Sequence, residues 1–184
     1  MSAPLWKVNT VEAATTVAAL TRDYRDVERT IAACRQCDAY GRLWCCPPHD
    51  AEQVEQLLAR YTNATIFGTK IDFMPLPPGA DPRQVATDAF AQARQLMLPA
   101  LLERERALPG SIALSVRCTL CGDTPCSRLD GQPCRHPRQM RPSLESIGFD
   151  VEGIARDLLH TPLLWSQHGE LPPYMMLVTA LLHN

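Results

Sequence analysis

The residues with the clearest chemistry in this chain are its eight cysteines, which fall into two groups. The first group, spaced C-x2-C-x7-C-C-P-P, consists of Cys34, Cys37, Cys45 and Cys46. The second group, spaced C-x2-C-x4-C-x7-C, consists of Cys118, Cys121, Cys126 and Cys134. A C-x2-C pair turns tightly enough for two thiolates to reach one centre. Each group therefore predicts a metal site.

The spacing also bears on which metal is bound. Sites made only of thiolates suit zinc or an iron–sulfur cluster. All-cysteine zinc sites usually combine two short pairs, and neither group here has a second one. Ferredoxin-type sequences spread their cysteines unevenly and end in Cys-Pro, as Cys46-Pro47 does. We expect one or two [4Fe-4S] clusters with a redox, electron-transfer or cluster-based catalytic role, and a zinc-stabilised binding module without redox chemistry is the alternative.

A third interpretation concerns Cys34 and Cys37 alone. A C-x2-C pair also occurs as the redox dithiol of thioredoxin-like proteins, where it follows a strand and opens a helix. A predicted helix precedes this pair instead, so the metal interpretation is favoured.

Arginines are frequent around the second cysteine group, at positions Arg117, Arg128, Arg135, Arg138 and Arg141. A cluster bound by four thiolates is an anion overall, and nearby guanidinium groups stabilise it. We predict that Arg135 and Arg141, which lie in a proline-containing segment after Cys134, contact the cofactor. The alternatives are a basic face exposed to solvent or an anion-binding surface.

Composition limits the other classes of function. A chain of 184 residues with 46% hydrophobic content buries one sizeable core, so a single domain over residues 1–184 is expected. Lys+Arg 18 against Asp+Glu 20 gives a net charge of −2, without the basic excess of nucleic-acid binders. No secretory signal or long apolar segment is present. We expect a cytoplasmic protein that contacts neither membrane nor nucleic acid, with a redox partner protein or a small-molecule substrate.

The first half of the chain must position the first group. Helical spacing of Ala, Val and Leu predicts one or two helices over residues 10–33. Asp50 is the expected N-cap of a helix over 51–61. Residues 65–73 are rich in β-branched and aromatic types and predict a strand, with Gly68 as a bulge or a point of close approach.

The second half contains the longest helical pattern, over residues 82–108, where Pro99 is expected to kink or divide the helix. A strand over 111–117 leads into the second group. The apolar segment 173–182 is predicted to be a buried strand.

Between the second group and the last strand, two short helical segments are expected, with Ser143 and Asp150 as caps. Together these elements predict a single α/β domain. Helices pack a small mixed β-sheet, and two cysteine-rich loops, at about 34–50 and 117–142, bind metal.

Two longer motifs include these cysteines. The first, C-x-x-Y-G-x-x-W-x-C-P-P, is formed by Cys37, Tyr40, Gly41, Trp44, Cys46, Pro47 and Pro48. The second group and the segment after it supply Cys118, Cys121, Cys126, Cys134, Arg135, Pro137, Arg141, Pro142, Ser143, Glu145, Gly148, Phe149, Asp150 and Val151. Both motifs resemble those of a prokaryotic family of uncharacterised, predicted metal-binding proteins. The resemblance spans about residues 30–182 and implies metal binding, with iron–sulfur favoured over zinc.

This chain departs from the family motif at Phe149, where isoleucine is common, and in the longer spacing between Cys121 and Cys126. The family has a small residue at the position of Cys45, and successive side chains diverge in an extended segment. The resemblance therefore implies that Cys45 is a spare thiol.

Three thiolates then remain in the first group, from Cys34, Cys37 and Cys46. Three thiolates leave one position of a metal centre open to water, substrate or a fourth side chain. The candidates for that side chain are Tyr40, Cys45, His49 and Asp50.

Overall fold

The structure is a computed structural model that describes residues 4–167 and 169–184. Its strands are β1 (Trp6–Thr16), β2 (Asn63–Phe73), β3 (Ile112–Leu114) and β4 (Tyr174–His183). Its α-helices are α1 (Val17–Tyr24), α2 (Val27–Cys34), α3 (Ala51–Leu58), α4 (Pro82–Ala107) and α5 (Val151–Asp157). There are also two 3-10 helices: Ser127–Asp130 lies within the second group of cysteines, and Glu145–Ile147 follows that group.

The four strands form one sheet in the order β1-β2-β4-β3. Every strand pair in this sheet is antiparallel, whereas the sequence predicted a mixed sheet. For β1 and β2, the reason lies in their connection, which leaves and rejoins the sheet at the same end. There, the N–H of Val17 donates to the carbonyl of Thr62 at 2.9 Å. The predicted single α/β domain is confirmed.

The largest difference from the sequence prediction concerns residues 10–33, which were expected to be helical. The chain up to Thr16 belongs to β1, which pairs with β2 along its whole length. Alternating burial along β1 and the ladder to β2 outweigh the helical spacing of its alanines. The helix begins only where Thr16 Oγ1 accepts the N–H of Ala19 at 3.1 Å.

Other elements agree more closely with the sequence. Asp50 caps α3 by accepting the N–H of Gln53 at 2.9 Å. The predicted strands over 65–73 and 173–182 are confirmed within β2 and β4. Helix α4 matches its predicted extent, and Pro99 does not divide it. In the described parts of the chain, no helix has both the length and the apolar character needed to cross a membrane.

The strand expected over 111–117 is shorter than predicted. It ends at Leu114 because Ser115 turns away from β4 and donates its N–H to the carbonyl of Pro142 at 2.8 Å. Residues 117–142 therefore form a closed excursion from the sheet.

Helices cover both faces of the sheet. In β2, Ile66 faces the main core, which includes Leu20 of α1 and Ile154 of α5. The next residue, Phe67, faces the other side and packs with Leu101 of α4. Adjacent side chains of one strand thus enter two separate cores.

Gly68 is a point of close approach, as predicted, and the strand register continues through it without a bulge. A Cβ atom at Gly68 would lie 2.6 Å from Met176 Sδ and 2.8 Å from Val11 Cγ2. Only glycine lets these neighbouring side chains pack over the centre of the sheet.

A largely buried ion pair connects α4 to the end of the second excursion. Glu105 Oε2 accepts hydrogen bonds from Arg141 Nε at 2.7 Å and from the N–H of Ala113 at 2.7 Å. A second guanidinium nitrogen of Arg141 contacts Glu105 Oε1. The pair fixes the position at which the chain returns from residues 117–142 to the sheet.

We predict that Glu105→Gln lowers the free energy of unfolding by about 3 kcal/mol, because it leaves the guanidinium of Arg141 buried without its counter-ion. Urea denaturation followed by circular dichroism measures this change. The control is Glu103→Gln on the exposed side of the same helix, which should change stability by less than about 0.5 kcal/mol.

The stability difference should also depend on pH. Burial raises the pKa of Glu105. The hydrogen bonds from Arg141 and Ala113 lower it by more than burial raises it, so the net pKa lies below the ordinary 4.5. The stabilisation is therefore complete above 4.5 and is lost as the pH falls through the lower folded-state pKa. An equal difference between wild type and Glu105→Gln at neutral pH and well below 4.5 would contradict this account.

Candidate metal centre

The first cysteine loop, residues 34–50, is a succession of tight turns that begins where α2 ends. The N–H of Cys37 donates to the carbonyl of Cys34 at 3.0 Å, and the N–H of Cys46 donates to the carbonyl of Leu43 at 3.1 Å. A bond of 2.8 Å from the N–H of Gly41 to the carbonyl of Pro47 closes the loop. Gly41 has a φ of 69°, a conformation that favours glycine.

These turns bring the three thiols predicted to bind metal into one neighbourhood. A hydrogen bond with Cys45 lowers the pKa of Cys46, while burial and the charges of Cys37 and Cys34 oppose that shift. The pKa of Cys34 is raised to about 11, first by burial and then by the charges of Glu145 and Cys37. Cys34, Cys37 and Cys46 are therefore close enough to interact electrostatically.

Cys45 connects the two cysteine groups. Its side chain is fully buried, and its Sγ lies 3.6 Å from the Sγ of Cys46. The same sulfur accepts the backbone N–H of Cys118 at 3.1 Å. The family resemblance implied a spare thiol at this position, but the structure places Cys45 at the junction of both groups. The doubled cysteine was the one signal of this in the sequence.

The second cysteine loop, residues 117–142, lines a cavity of about 570 Å³ together with the first loop and helix α4. All four cysteines of the second group line this cavity: Cys118, Cys121, Cys126 and Cys134. Two of their sulfurs accept hydrogen bonds, from Arg135 Nη1 to Cys121 Sγ at 3.9 Å and from the N–H of His136 to Cys134 Sγ at 3.4 Å. Such donors stabilise the negative charge of a thiolate.

The two arginines singled out from the sequence lie in different surroundings. Arg135 is beside Cys121, where a guanidinium can stabilise a thiolate, and it also donates to the carbonyl of Pro125 at 2.7 Å. The guanidinium of Arg141 is paired with Glu105 and makes no hydrogen bond to a cysteine in the described chain. Arg141 thus has a structural role in this fold, and its contact with a cofactor stays a prediction.

Sequence reasoning did not single out Arg128, which holds the two loops together. Its Nη1 donates to the carbonyl of Leu43 at 2.7 Å, and its Nη2 donates to the carbonyl of Pro48 at 2.8 Å. The guanidinium lies 5.2 Å from the centre of the Trp44 ring. Trp44 Nε1 in turn donates to the carbonyl of Gln132 at 3.2 Å. No local pattern distinguishes Arg128 from its neighbouring arginines.

A third segment, residues 143–146, closes the first cysteine loop from the other side. The N–H of Ser143 donates to the carbonyl of Cys45 at 3.1 Å. His49 Nε2 and Ser146 Oγ share a hydrogen bond of 3.0 Å. Two of the predicted fourth ligands are therefore already engaged, since His49 binds Ser146 and Asp50 caps α3.

Glu145 is an acidic residue whose charge affects the thiol of Cys34. The sequence alone did not indicate it as a ligand. Its Oε2 is buried and has no hydrogen-bond partner among the described residues. Burial raises the pKa of this carboxyl, whose charge in turn raises the pKa of Cys34. A buried carboxylate oxygen without a partner requires a cation or a donor.

The ligand side chains do not converge on a position for one ion. Within residues 4–167 and 169–184, no group of three or more His, Cys, Asp and Glu side chains could hold a single metal ion. All eight cysteines are free thiols. The seven cysteines predicted to bind metal thus remain predictions, and four of them surround a cavity.

Comparison with known proteins agrees with the chemistry of these loops. A family model described as predicted metal-binding protein (DUF2284) matches residues 20–182, a range that includes both cysteine loops. No curated protein and no solved structure matches the chain significantly. Any function more specific than metal binding must therefore be argued from the site itself.

We predict that Arg128→Lys loosens both cysteine loops, because a lysine ammonium cannot donate in the forked geometry that reaches several carbonyls. Hydrogen–deuterium exchange should accelerate in residues 34–50 and 117–142 and stay unchanged in β2 and β4. Arg138→Lys, at an exposed position in the same loop, is the matched control. Equal exchange in the two variants would show that Arg128 does not hold the loops.

Proposed function

The chain belongs to the predicted metal-binding protein family DUF2284, and from this premise we propose that it holds an iron–sulfur cluster of the [4Fe-4S] type for a redox role. The observation that carries the proposal is the cavity of about 570 Å³, which is lined in part by all four cysteines of the second group. Four cysteines along one cavity suit a cofactor of several atoms.

The spacing of the ligand side chains supports an iron–sulfur cluster over zinc. A zinc ion bound tetrahedrally by four thiolates holds them about 3.8 Å apart, given a Zn–S distance of about 2.3 Å. In the described ranges, no three ligand side chains approach one ion position in that way. A [4Fe-4S] cluster has iron and sulfide ions between its cysteine ligands and requires wider separation. A zinc-stabilised module without redox chemistry is the alternative that measurement must distinguish.

The second group would hold this cluster through Cys118, Cys121, Cys126 and Cys134. When bound, it would supply one-electron transfer. Arg135 and the N–H of His136 would stabilise the thiolates of Cys121 and Cys134 and raise the reduction potential.

For the first group, we infer that Glu145 is the fourth donor beside Cys34, Cys37 and Cys46. The inference is supported by its buried, unpartnered Oε2 and by the effect of its charge on Cys34. A carboxylate is a harder ligand than a thiolate and exchanges more readily on a soft metal centre. This position would then be the one open to a small-molecule substrate.

The cytoplasm is the proposed location, because a reducing compartment keeps eight cysteines as the free thiols that metal binding requires. The proposed partners are a protein that exchanges electrons with the cluster or a small-molecule substrate.

Anaerobic purification tests the cluster directly. We expect a coloured protein with visible absorbance that bleaches on reduction, and with about four or about eight iron atoms per chain and equal sulfide. Cys121→Ser should lose about four of them, because it removes one ligand of the second group. A colourless protein with stoichiometric zinc would overturn the proposal.

A second measurement tests Glu145. In Glu145→Gln, we expect a changed electron paramagnetic resonance signal from the first group and an unchanged signal from the second, because an amide oxygen binds iron weakly. Glu152→Gln, at an exposed position in α5, is the control.

Stability of the metal-free protein separates a ligand from a structural residue. Glu145→Gln should leave the metal-free chain at least as stable as wild type, since it removes a buried charge whose Oε2 has no hydrogen-bond partner in the described chain. If the iron content and the signals match those of wild type, Glu145 is not a ligand.

A further inference from the structure

The cavity beside the second cysteine group is lined by arginine as well as by sulfur. Arg42, Arg94 and Arg117 all contribute to its wall, together with Gln95. The acids on the same wall are Asp38 and Asp123, and Asp38 is paired with Arg117 at 2.9 Å. Arginines therefore outnumber carboxylates around a space large enough for a metabolite.

Arg94 is the unusual member of this set. It extends from α4, and its Nε is buried with no hydrogen-bond partner in the described chain. None of the ion pairs found among the described residues includes it. A buried guanidinium nitrogen without an acceptor is costly, and structures rarely retain one without a reason.

Arg94 and Arg117 are also close to each other. Burial lowers the pKa of Arg94, and the positive charge of Arg117 lowers it further. Arg117 binds Asp38 through Nη1, and its other nitrogens have no acceptor in the described residues. Two like charges facing one cavity repel each other unless an anion lies between them.

We propose that Arg94 and Arg117 form an anion site that takes a small carboxylate or phosphate compound next to the second cysteine group. Guanidinium groups bind both anions through paired N–H donors, which makes arginine the usual residue for this recognition. The further idea that this anion is the substrate of a cluster-based reaction rests on the proposed function. Binding of the anion by itself does not require the metal.

Charge compensation of the cluster is the competing role for these arginines. Arg135 fits that role, because it donates to Cys121 Sγ. Arg94 makes no hydrogen bond to any sulfur within the described residues, so its nitrogen is left for a different acceptor. The two roles therefore belong to different arginines of the same cavity.

The test is calorimetric titration of the anaerobically purified full chain with two probes, inorganic phosphate and malonate. We expect saturable binding of one probe at one site per chain, and the probe that binds identifies the anion as phosphate or carboxylate. Arg94→Gln and Arg117→Gln should each weaken this binding by about tenfold or more, as expected for loss of a charged hydrogen bond.

The matched control is Arg83→Gln, which removes the same charge from an exposed position of the same helix and should leave the affinity unchanged. Circular dichroism establishes that the variants are folded. If neither probe binds saturably, or if Arg83→Gln weakens binding as much as Arg94→Gln, there is no anion site.

Metal content, measured on every sample, separates this inference from the proposed function. Saturable binding by a chain without iron supports the anion site and contradicts the iron–sulfur proposal. Iron retained in wild type but lost in Arg94→Gln, with probe binding intact, would assign Arg94 to the cluster and overturn the anion site.

Discussion

The burial of Cys45 between two cysteine loops is the constraint on which the site depends. Its sulfur contacts Cys46 and accepts the N–H of Cys118, and its carbonyl accepts the N–H of Ser143. Three segments distant in sequence are thus positioned by one residue with no solvent exposure. Since each of these contacts satisfies a polar group inside the protein, displacing one segment would leave unpaired groups in the other two.

The two cysteine loops lie close together because each belongs to a chain segment that leaves the sheet and returns to it at the same place. The bond from Val17 to Thr62 closes the first, and the bond from Ser115 to Pro142 closes the second. Within each excursion the cysteine loop has little regular structure, so side chains such as Arg128 bind the loop carbonyls. Loops that lack a core of their own are where a bound metal contributes most to stability.

Two buried polar atoms without partners complement each other in charge. The charge of Glu145 raises the pKa of Cys34 in the first group, and Arg94 is one of the residues that line the cavity at the second group. The buried carboxylate of Glu145 would be stabilised by a cation, and the buried guanidinium of Arg94 by an anion. The proposed metal ligand Glu145 and the proposed anion ligand Arg94 would each gain a partner of opposite charge.

From the sequence alone, cysteine spacing predicted metal binding, two longer motifs indicated the family, and local signals located α3, α4, β2 and β4. These predictions succeeded because caps, strand propensity and C-x2-C turns act over a few residues. The same local signals predicted a helix where β1 lies. Pairing with β2, a strand some fifty residues away, outweighs the helical spacing of this segment.

Tertiary structure alone decided that Cys45 contacts both groups, that Arg128 binds carbonyls of the first loop, and that Arg141 pairs with Glu105. Each of these contacts joins residues more than thirty positions apart in the sequence. Such residues come together only because the sheet closes both excursions, and no residue adjacent in the sequence specifies the contact.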